Sequence, residues 1–507
     1  MHALVTCTAM AGLAEWVCTP GELTPPLYRT LASCPLIHRW AVSEAATAAH
    51  FALGRMQATG RPVAVVAGSG ADAAAMLPAV AEAYYQRRPL LVLTLENNRS
   101  EGGTAAETET DNLFGLFAPT RTLELPCPVS DLPDLSGWAR EGFPMHLRLR
   151  FDPESVRSQG DFSALQIGDA PAAPSFRGSL VTLSQMLRFR AVEGLVLILG
   201  ALEPSEQEPV LWLAQTLRVP VLADAASGLR EELAPYLLHD AAALLRACPP
   251  RFVLRVGEVP TDPFWRALED MPETEVFSVT RTGFSGLTRK STVIEGDPEQ
   301  IMKALGDVPT IGDTERLLPR ARHNAGRTEE SILSAPESAE ALVRALSHYA
   351  SLAEVICLGS PTVTELWNRC AQTQVSTLYL RDLAVRSTRG SLATFLGNAA
   401  DAPTALCLLG DLTALHDAMA PALLLPELPM GRRIIAVLNN GGAGRAALES
   451  AEDTEWERLM VQPPVLPPAE LARLWGAEYY AVHSEADLEV LDTAEEGTTI
   501  LLELLPE

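Results

Sequence analysis

Short apolar runs with strand character recur along the whole chain, each followed by a segment of helical periodicity and then by another such run. This alternation limits the possible folds more than any other feature. A strand buried on both faces reads as a continuous apolar run, and parallel neighbours need a crossover of helix length between them. In the first third, PVAVVAG (62–68) and PLLVLTL (89–95) flank the helical ADAAAMLPAVAEAYYQ. A second group holds GLVLILG (194–200), the helical EPVLWLAQTLR, PVLADA, RFVLRVG (251–257) and EVFSVT (275–280). The third holds EVICLGS (354–360), STLYLRD (376–382), TALCLLGD (404–411), RRIIAVLNN (432–440) and TTILLELL (498–505). Polar stretches rich in Pro, Gly, Asp and Ser at 151–178 and 312–338 read as boundaries. The expectation is an α/β protein with three doubly wound parallel-sheet domains, over 1–160, 178–311 and 335–507.

A chain of 507 residues exceeds what one hydrophobic core serves, which agrees with several domains. A net charge of -25 argues against nucleic acid as a partner, because binding a phosphate backbone relies on Lys and Arg. The eight cysteines are scattered without a C-x-x-C, so buried free thiols are expected in place of a zinc site or a disulfide framework. The opening MHALVTCTAMAGLAEW has neither a basic leading region nor an A-x-A cleavage site and reads as helix. No apolar run reaches the ~18 residues of a membrane span. A cytoplasmic location is the expectation.

The chemistry concentrates in GDLTALHD (410–417) and VLNNGG (437–442). TALCLLGD ends a strand, and LTALHDAMAPALLL after it has helical periodicity. A strand end opening into a helix start offers free N–H groups to phosphate, yet Asp411 beside phosphate would repel it. A divalent cation between them removes the conflict. Mg²⁺ takes about six oxygens from carboxylates, neutral oxygens, phosphate and water. Asp411, the Asn439 side-chain oxygen and the Gly441 carbonyl would form the protein share, with Gly441 and Gly442 allowing the backbone to turn inward. Standing alone, NNGG also reads as a strand end with an Asx turn.

On these stretches the chain resembles the thiamine diphosphate enzymes, whose hallmark is Gly-Asp-x followed some 25 to 30 residues later by Asn-Asn. Within them SEAATAAHFALGRMQATGRPVAVVAGSG (43–70), LPAVAEAYYQRRPLLVLT (77–94) and NLFGLF (112–117) are most similar to the SEPHCHC synthases of menaquinone biosynthesis, the MenD branch. The resemblance implies pyrimidine-binding, central and diphosphate-binding domains. It implies thiamine diphosphate with Mg²⁺ or Mn²⁺ as cofactors, a 2-oxo acid substrate, and a homodimer or homotetramer whose cofactor lies between subunits. Gly410, Asp411, Leu412, Asn439, Gly441 and Gly442 fall on the diphosphate and metal motif. Glu44 falls where the family's Glu binds N1′ of the aminopyrimidine and favours the tautomer that takes the C2 proton; read bare, it is a first-turn partner of a helix. Gly68, Ser69 and Gly70 sit at the family's turn near the pyrimidine, and by themselves read as a plain strand-to-helix turn.

The substrate side departs from the family. SEPHCHC synthases hold the carboxylates of 2-oxoglutarate and isochorismate with Arg and Lys. Here the corresponding loop reads TPGELTPPL (19–27), with Glu22 and Leu23 in place of Ser and Arg. The family's Ala-Asp-Arg-Pro reads Leu95, Glu96, Asn97, Asn98. A basic residue is missing near Asp262, and Glu365 stands where an Arg belongs. Arg99, Arg381, Arg386 and Arg389 are the remaining candidates for substrate carboxylates. The implied activity is decarboxylation of a 2-oxo acid with carboligation, on a substrate site whose Arg/Lys set is largely lost. A non-catalytic protein of the same fold and an orthodox SEPHCHC synthase are the other two readings.

Overall fold

Seventeen strands form three wholly parallel sheets in the computed structural model, which describes residues 1–97, 110–153, 160–171, 176–239, 242–372, 378–381, 389–442, 461, 463–495 and 497–507. The first sheet is built from β1 (Glu15–Cys18), β2 (His38–Ala41), β3 (Val63–Val66), β4 (Leu90–Asn97), β5 (Thr120–Leu125) and β6 (Met145–Phe151), in the order β2-β1-β3-β4-β6-β5. The second holds β7 (Leu195–Leu199), β8 (Val221–Ala223), β9 (Phe252–Val256), β10 (Glu275–Thr280) and β11 (Thr292–Glu295), ordered β11-β10-β9-β7-β8. The third holds β12 (Val355–Leu358), β13 (Leu378–Arg381), β14 (Thr404–Gly410), β15 (Arg432–Leu438), β16 (Glu478–Val482) and β17 (Thr499–Leu504), ordered β13-β12-β14-β15-β17-β16. The first and third sheets therefore share one strand order. The α/β class with three parallel sheets is as expected.

Packing divides the chain into two units. One comprises Met1–Ala173, Leu383–Asp401 and His416–Pro429, the other Pro174–Asp382, Ala402–Leu415 and Met430–Glu507. In the second unit, Leu195, Leu197 and Leu199 of β7 enter one apolar cluster, while Val196 and Ile198 enter another on the opposite face. Burial on both faces is why this strand reads as an unbroken apolar run.

In the first unit the helix Ser391–Asn398 crosses the helix Ala45–Thr59 at small residues. A Cβ on Gly54 would stand 2.1 Å from the Thr394 carbonyl oxygen, and one on Gly397 would stand 2.3 Å from that of Phe51. Arg55, 3% exposed, fixes this crossing by donating to the Gly397 carbonyl at 3.1 Å and to the carboxylates of Glu15 and Asp401, each at 2.8 Å.

Two local expectations change. The opening helix stops at Met10 and Glu15–Cys18 is a strand, because Gly12 takes φ +92° and Trp16 and Val17 are fully buried in the sheet. The polar stretch 312–338 contains an 18-residue helix, Leu317–Ser334. Asp313 caps it by accepting from the N–H groups of Leu317 and Leu318, and Pro319 sits in the first turn, where no intrahelical N–H is needed.

These surroundings predict opposite outcomes for two helical glycines. Gly54→Ala is expected to destabilise the protein by about 1–3 kcal/mol through overpacking. Gly326→Ala, where a Cβ meets nothing within 4 Å, is expected to stabilise it by about 0.4–1 kcal/mol. Thermal melts of the two variants check the sign of each.

Candidate active site

Gly410 closes β14 opposite Leu438 of β15, so Asp411 and Asn439 each stand one residue past a paired position on adjacent strands. The turn that follows β15 joins them. Asp411, 4% exposed, accepts from the N–H of Leu412 through Oδ1 and from that of Gly442 through Oδ2, both at 2.7 Å. Asn439 Oδ1 accepts from the Gly441 N–H at 3.1 Å. The Asx turn is thus present, and it delivers its next N–H to Asp411. Gly441 and Gly442 have φ of +70° and +72°, a left-handed pair that side chains with a Cβ resist by roughly 1–2 kcal/mol per residue. The helical run after Asp411 is broken into Asp411–His416 and Met419–Leu424, and His416 is exposed. Between them Asp417 is buried and accepts from the N–H groups of Gly390 and Leu392, at 2.7 and 2.9 Å.

The residues present fit a diphosphate with a hard cation. Cβ positions built on Gly410 and Gly441 meet nothing among the described residues within 4 Å, which leaves space on that side of both strand ends. Asn440 Oδ1 is buried without a hydrogen-bond partner. One carboxylate with amide and carbonyl oxygens suits Mg²⁺, which also draws on phosphate and water. Among the described residues no group of three or more His, Cys, Asp or Glu could hold a metal.

In the first unit the C-terminal ends of β1, β2 and β3 lie side by side and carry Thr19–Thr24, Glu44 and Gly68–Gly70. Thr19 donates to the Val66 carbonyl at 2.7 Å. A Cβ on Gly68 would stand 1.9 Å from the Pro20 carbonyl oxygen, and one on Gly21 would stand 2.3 Å from that of Gly68, so the two loops touch through glycine. Ser69 caps the short helix Gly70–Ala75 by accepting from the Asp72 N–H.

Glu44 is the N-cap of the helix Ala45–Thr59, accepting from the N–H groups of Ala46 at 3.0 Å and Thr47 at 2.6 Å. Burial pushes its carboxyl up, but the hydrogen bonds from Thr47 and Ala46 and the Arg389 charge outweigh burial and hold it below the ordinary value. The first-turn role is therefore real, and the carboxylate is held ionised.

Of the substrate candidates, Arg389 is exposed and its charge acts on Glu44 and Asp417. Arg381 lies in β13 with only its backbone described, and Arg99 and Arg386 lie outside the described residues. Asp262 and Glu365 line one cavity of about 210 Å³, together with Asp224, Arg230, His239 and Arg369. Arg230, which no motif singled out, is 7% exposed and donates to the carbonyls of Trp367 and Asn368 at 3.3 and 2.7 Å. Equally silent in the sequence is Glu503, a buried carboxylate in an apolar strand, bonded to Asn439 Nδ2 and to the Tyr479 hydroxyl, each at 2.6 Å. Its only signal is a charge inside TTILLELL. All eight cysteines are free; Cys34, Cys357, Cys370 and Cys407 are buried and the other four are half-buried.

Because the folded state depresses the Glu44 carboxyl, its stabilising contribution is complete above the unfolded value and disappears as pH falls through the folded one. Glu44→Gln is expected to lose about 1 kcal/mol of capping at pH 7. The gap in melting temperature between the variant and wild type should close as pH drops below the ordinary glutamate value of 4.5.

The family described as thiamine pyrophosphate enzyme, N-terminal TPP binding domain, matches residues 1–114. A 2-succinyl-5-enolpyruvyl-6-hydroxy-3-cyclohexene-1-carboxylate synthase of Akkermansia muciniphila is 43% identical, spanning 100% of this chain and 96% of its own length. Proteins of the same name from Chloroflexus aurantiacus and Trichodesmium erythraeum are 28% and 26% identical, over 94% and 95% of this chain and 88% and 90% of theirs. No helix among the described residues is long and apolar enough to cross a membrane. With a full-length relative at this identity, the chain belongs to the 2-succinyl-5-enolpyruvyl-6-hydroxy-3-cyclohexene-1-carboxylate synthase (MenD) family of thiamine diphosphate-dependent decarboxylating transferases.

Proposed function

We propose that this chain uses thiamine diphosphate and Mg²⁺ to decarboxylate a 2-oxo acid and join the remaining fragment to an acceptor, in the manner of the relatives that share its full length. The observation that carries the reading is the Gly441–Gly442 turn, which gives one N–H to Asn439 and the next to Asp411. Asp411, the Asn439 oxygen and the Gly441 carbonyl would hold the cation, and the open space at Gly410 and Gly441 would admit the diphosphate. Thiamine diphosphate, when bound, supplies the nucleophilic carbon and the electron sink for loss of CO₂. Glu44 would hold a proton between its carboxylate and the pyrimidine, with the Gly68–Gly70 turn on the same sheet edge. Helix N–H groups already occupy one lone pair on each Glu44 oxygen, which leaves the others for the cofactor. A homodimer in which each subunit completes the other's site is the assembly this reading requires.

For substrates, the first reading is the one the family resemblance implies, with 2-oxoglutarate as donor and isochorismate as acceptor. A second is favoured by Asp262 and Glu365, which stand where the family resemblance places cations and which, with Asp224, outnumber the two arginines, Arg230 and Arg369, lining the same cavity. Carboxylates facing a desolvated substrate carboxylate repel it, so this reading replaces a dicarboxylate partner with a neutral or cationic one.

The test is release of CO₂ from a panel of 2-oxo acids with thiamine diphosphate and Mg²⁺, with and without isochorismate. Turnover of 2-oxoglutarate that depends on isochorismate supports the first substrate reading; turnover of a different pair supports the second. No CO₂ from any member refutes the enzymatic reading. Glu44→Gln is expected to lower the rate by about 10²–10⁴-fold, and an unchanged rate removes Glu44 from the mechanism.

A further inference from the structure

We propose that Glu503, braced by Tyr479, is a positioning residue that decides which atom of the Asn439 amide faces the cation. The inference rests on reading Asn439 as a cation ligand. Glu503 lies on β17, directly across from Val437 of β15 and from Ala481 of β16, so it reaches the end of the strand that carries Asn439. It is 6% exposed, between Leu502 and Leu504, which are fully buried. A carboxylate there is expensive to desolvate and needs strong partners. It has two: Asn439 Nδ2 donates to Oε1 and the Tyr479 hydroxyl donates to Oε2, each at 2.6 Å. The Asn439 backbone N–H donates to the Leu504 carbonyl at 3.0 Å, holding the ligand's backbone to the same strand.

An amide can present either its oxygen or its NH₂ to a neighbour, and only the oxygen can ligate a metal. Glu503 accepts from the NH₂ edge of Asn439. The oxygen must then point the other way, where it meets the Gly441 N–H at 3.1 Å and keeps a second lone pair. Flipping the amide would set its oxygen against the Glu503 carboxylate and its NH₂ against the Gly441 N–H, losing both bonds at once. Tyr479, whose hydroxyl burial and the Glu503 contact push up to about 12, donates to the other carboxylate oxygen. Outer partners of this kind commonly set metal affinity by about 10- to 100-fold.

Mn²⁺ binding to the full-length protein in the presence of thiamine diphosphate, read from the free-ion EPR signal, tests the inference without reference to turnover. Glu503→Leu is expected to weaken Mn²⁺ binding by about 10- to 100-fold. Glu503→Gln, which can donate as well as accept and so no longer dictates the flip, is expected to weaken it less. Asn439→Asp combined with Glu503→Gln exchanges donor and acceptor across the contact, and a carboxylate at 439 has no wrong face. This pair is expected to recover most of what Glu503→Gln loses and to gain more over Glu503→Gln than Asn439→Asp alone gains over wild type, which a merely structural role would not produce. Thermal melts confirm that each variant folds, and Glu503→Gln preserves shape should Glu503→Leu not fold. Mn²⁺ affinity within 2-fold of wild type in both Glu503 variants, or no recovery in the pair, overturns the inference while the cation site stands. An Asn439→Ala variant that binds Mn²⁺ as wild type does overturns the cation reading itself.

Discussion

A parallel strand cannot turn directly into its neighbour, so within each sheet successive strands leave from one edge and start again from the opposite one. The C-terminal strand ends therefore collect in a row, and the residues just past them are placed side by side regardless of their separation in sequence. Asp411 and Asn439 meet because Gly410 and Leu438 are register partners. Thr19, Glu44 and Gly68 share an edge because β2, β1 and β3 are neighbours. In both sheets the chain reverses direction next to the first strand, between β1 and β3 and between β12 and β14, where crevices open in folds of this kind. The identical strand order makes the Gly68–Gly70 turn and the Gly410–Leu412 turn topological counterparts, each following the third strand of its sheet.

On that edge small local devices set the direction of the side chains. Two consecutive left-handed glycines send their N–H groups to two different side chains and so aim a carboxylate and an amide at one place. The same economy appears at Glu44, where the helix that buries the alanine-rich face against the sheet also uses the carboxylate as its cap. A cap keeps the group ionised and oriented. Under the proposed function, stability and chemistry would draw on one side chain, and a substitution at Glu44 would change both.

Motifs made of residues close in sequence were legible before folding. The strand runs, the Gly-Asp turn and Asn-Asn-Gly-Gly are local patterns, and their physical requirements, burial on both faces and positive φ, are written in the residues themselves. The short strands Glu15–Cys18, His38–Ala41 and Thr292–Glu295 were not, because four residues with mixed polarity carry little periodicity. The helix Leu317–Ser334 was hidden by its polar composition; only Leu317, Ala321 and Ile332 along it are buried. Glu503 and Arg230 stand apart from the cofactor motif, and although Asp417 closes GDLTALHD, nothing adjacent to any of the three in sequence hints at its partners.

Residue order alone settled the class of the fold, the repetition of strand and crossover, and the pairing of an acidic turn with an asparagine turn 28 residues on. These follow from local sterics and from the spacing of apolar side chains. Tertiary structure decided which strand ends stand together, that Asp262 and Glu365 share a cavity wall with Arg230, and that a glutamate 64 residues beyond Asn439 fixes the direction of its amide. Such contacts arise from sheet order and register, which are set by the packing of the whole layer and leave no trace in any single stretch of the chain.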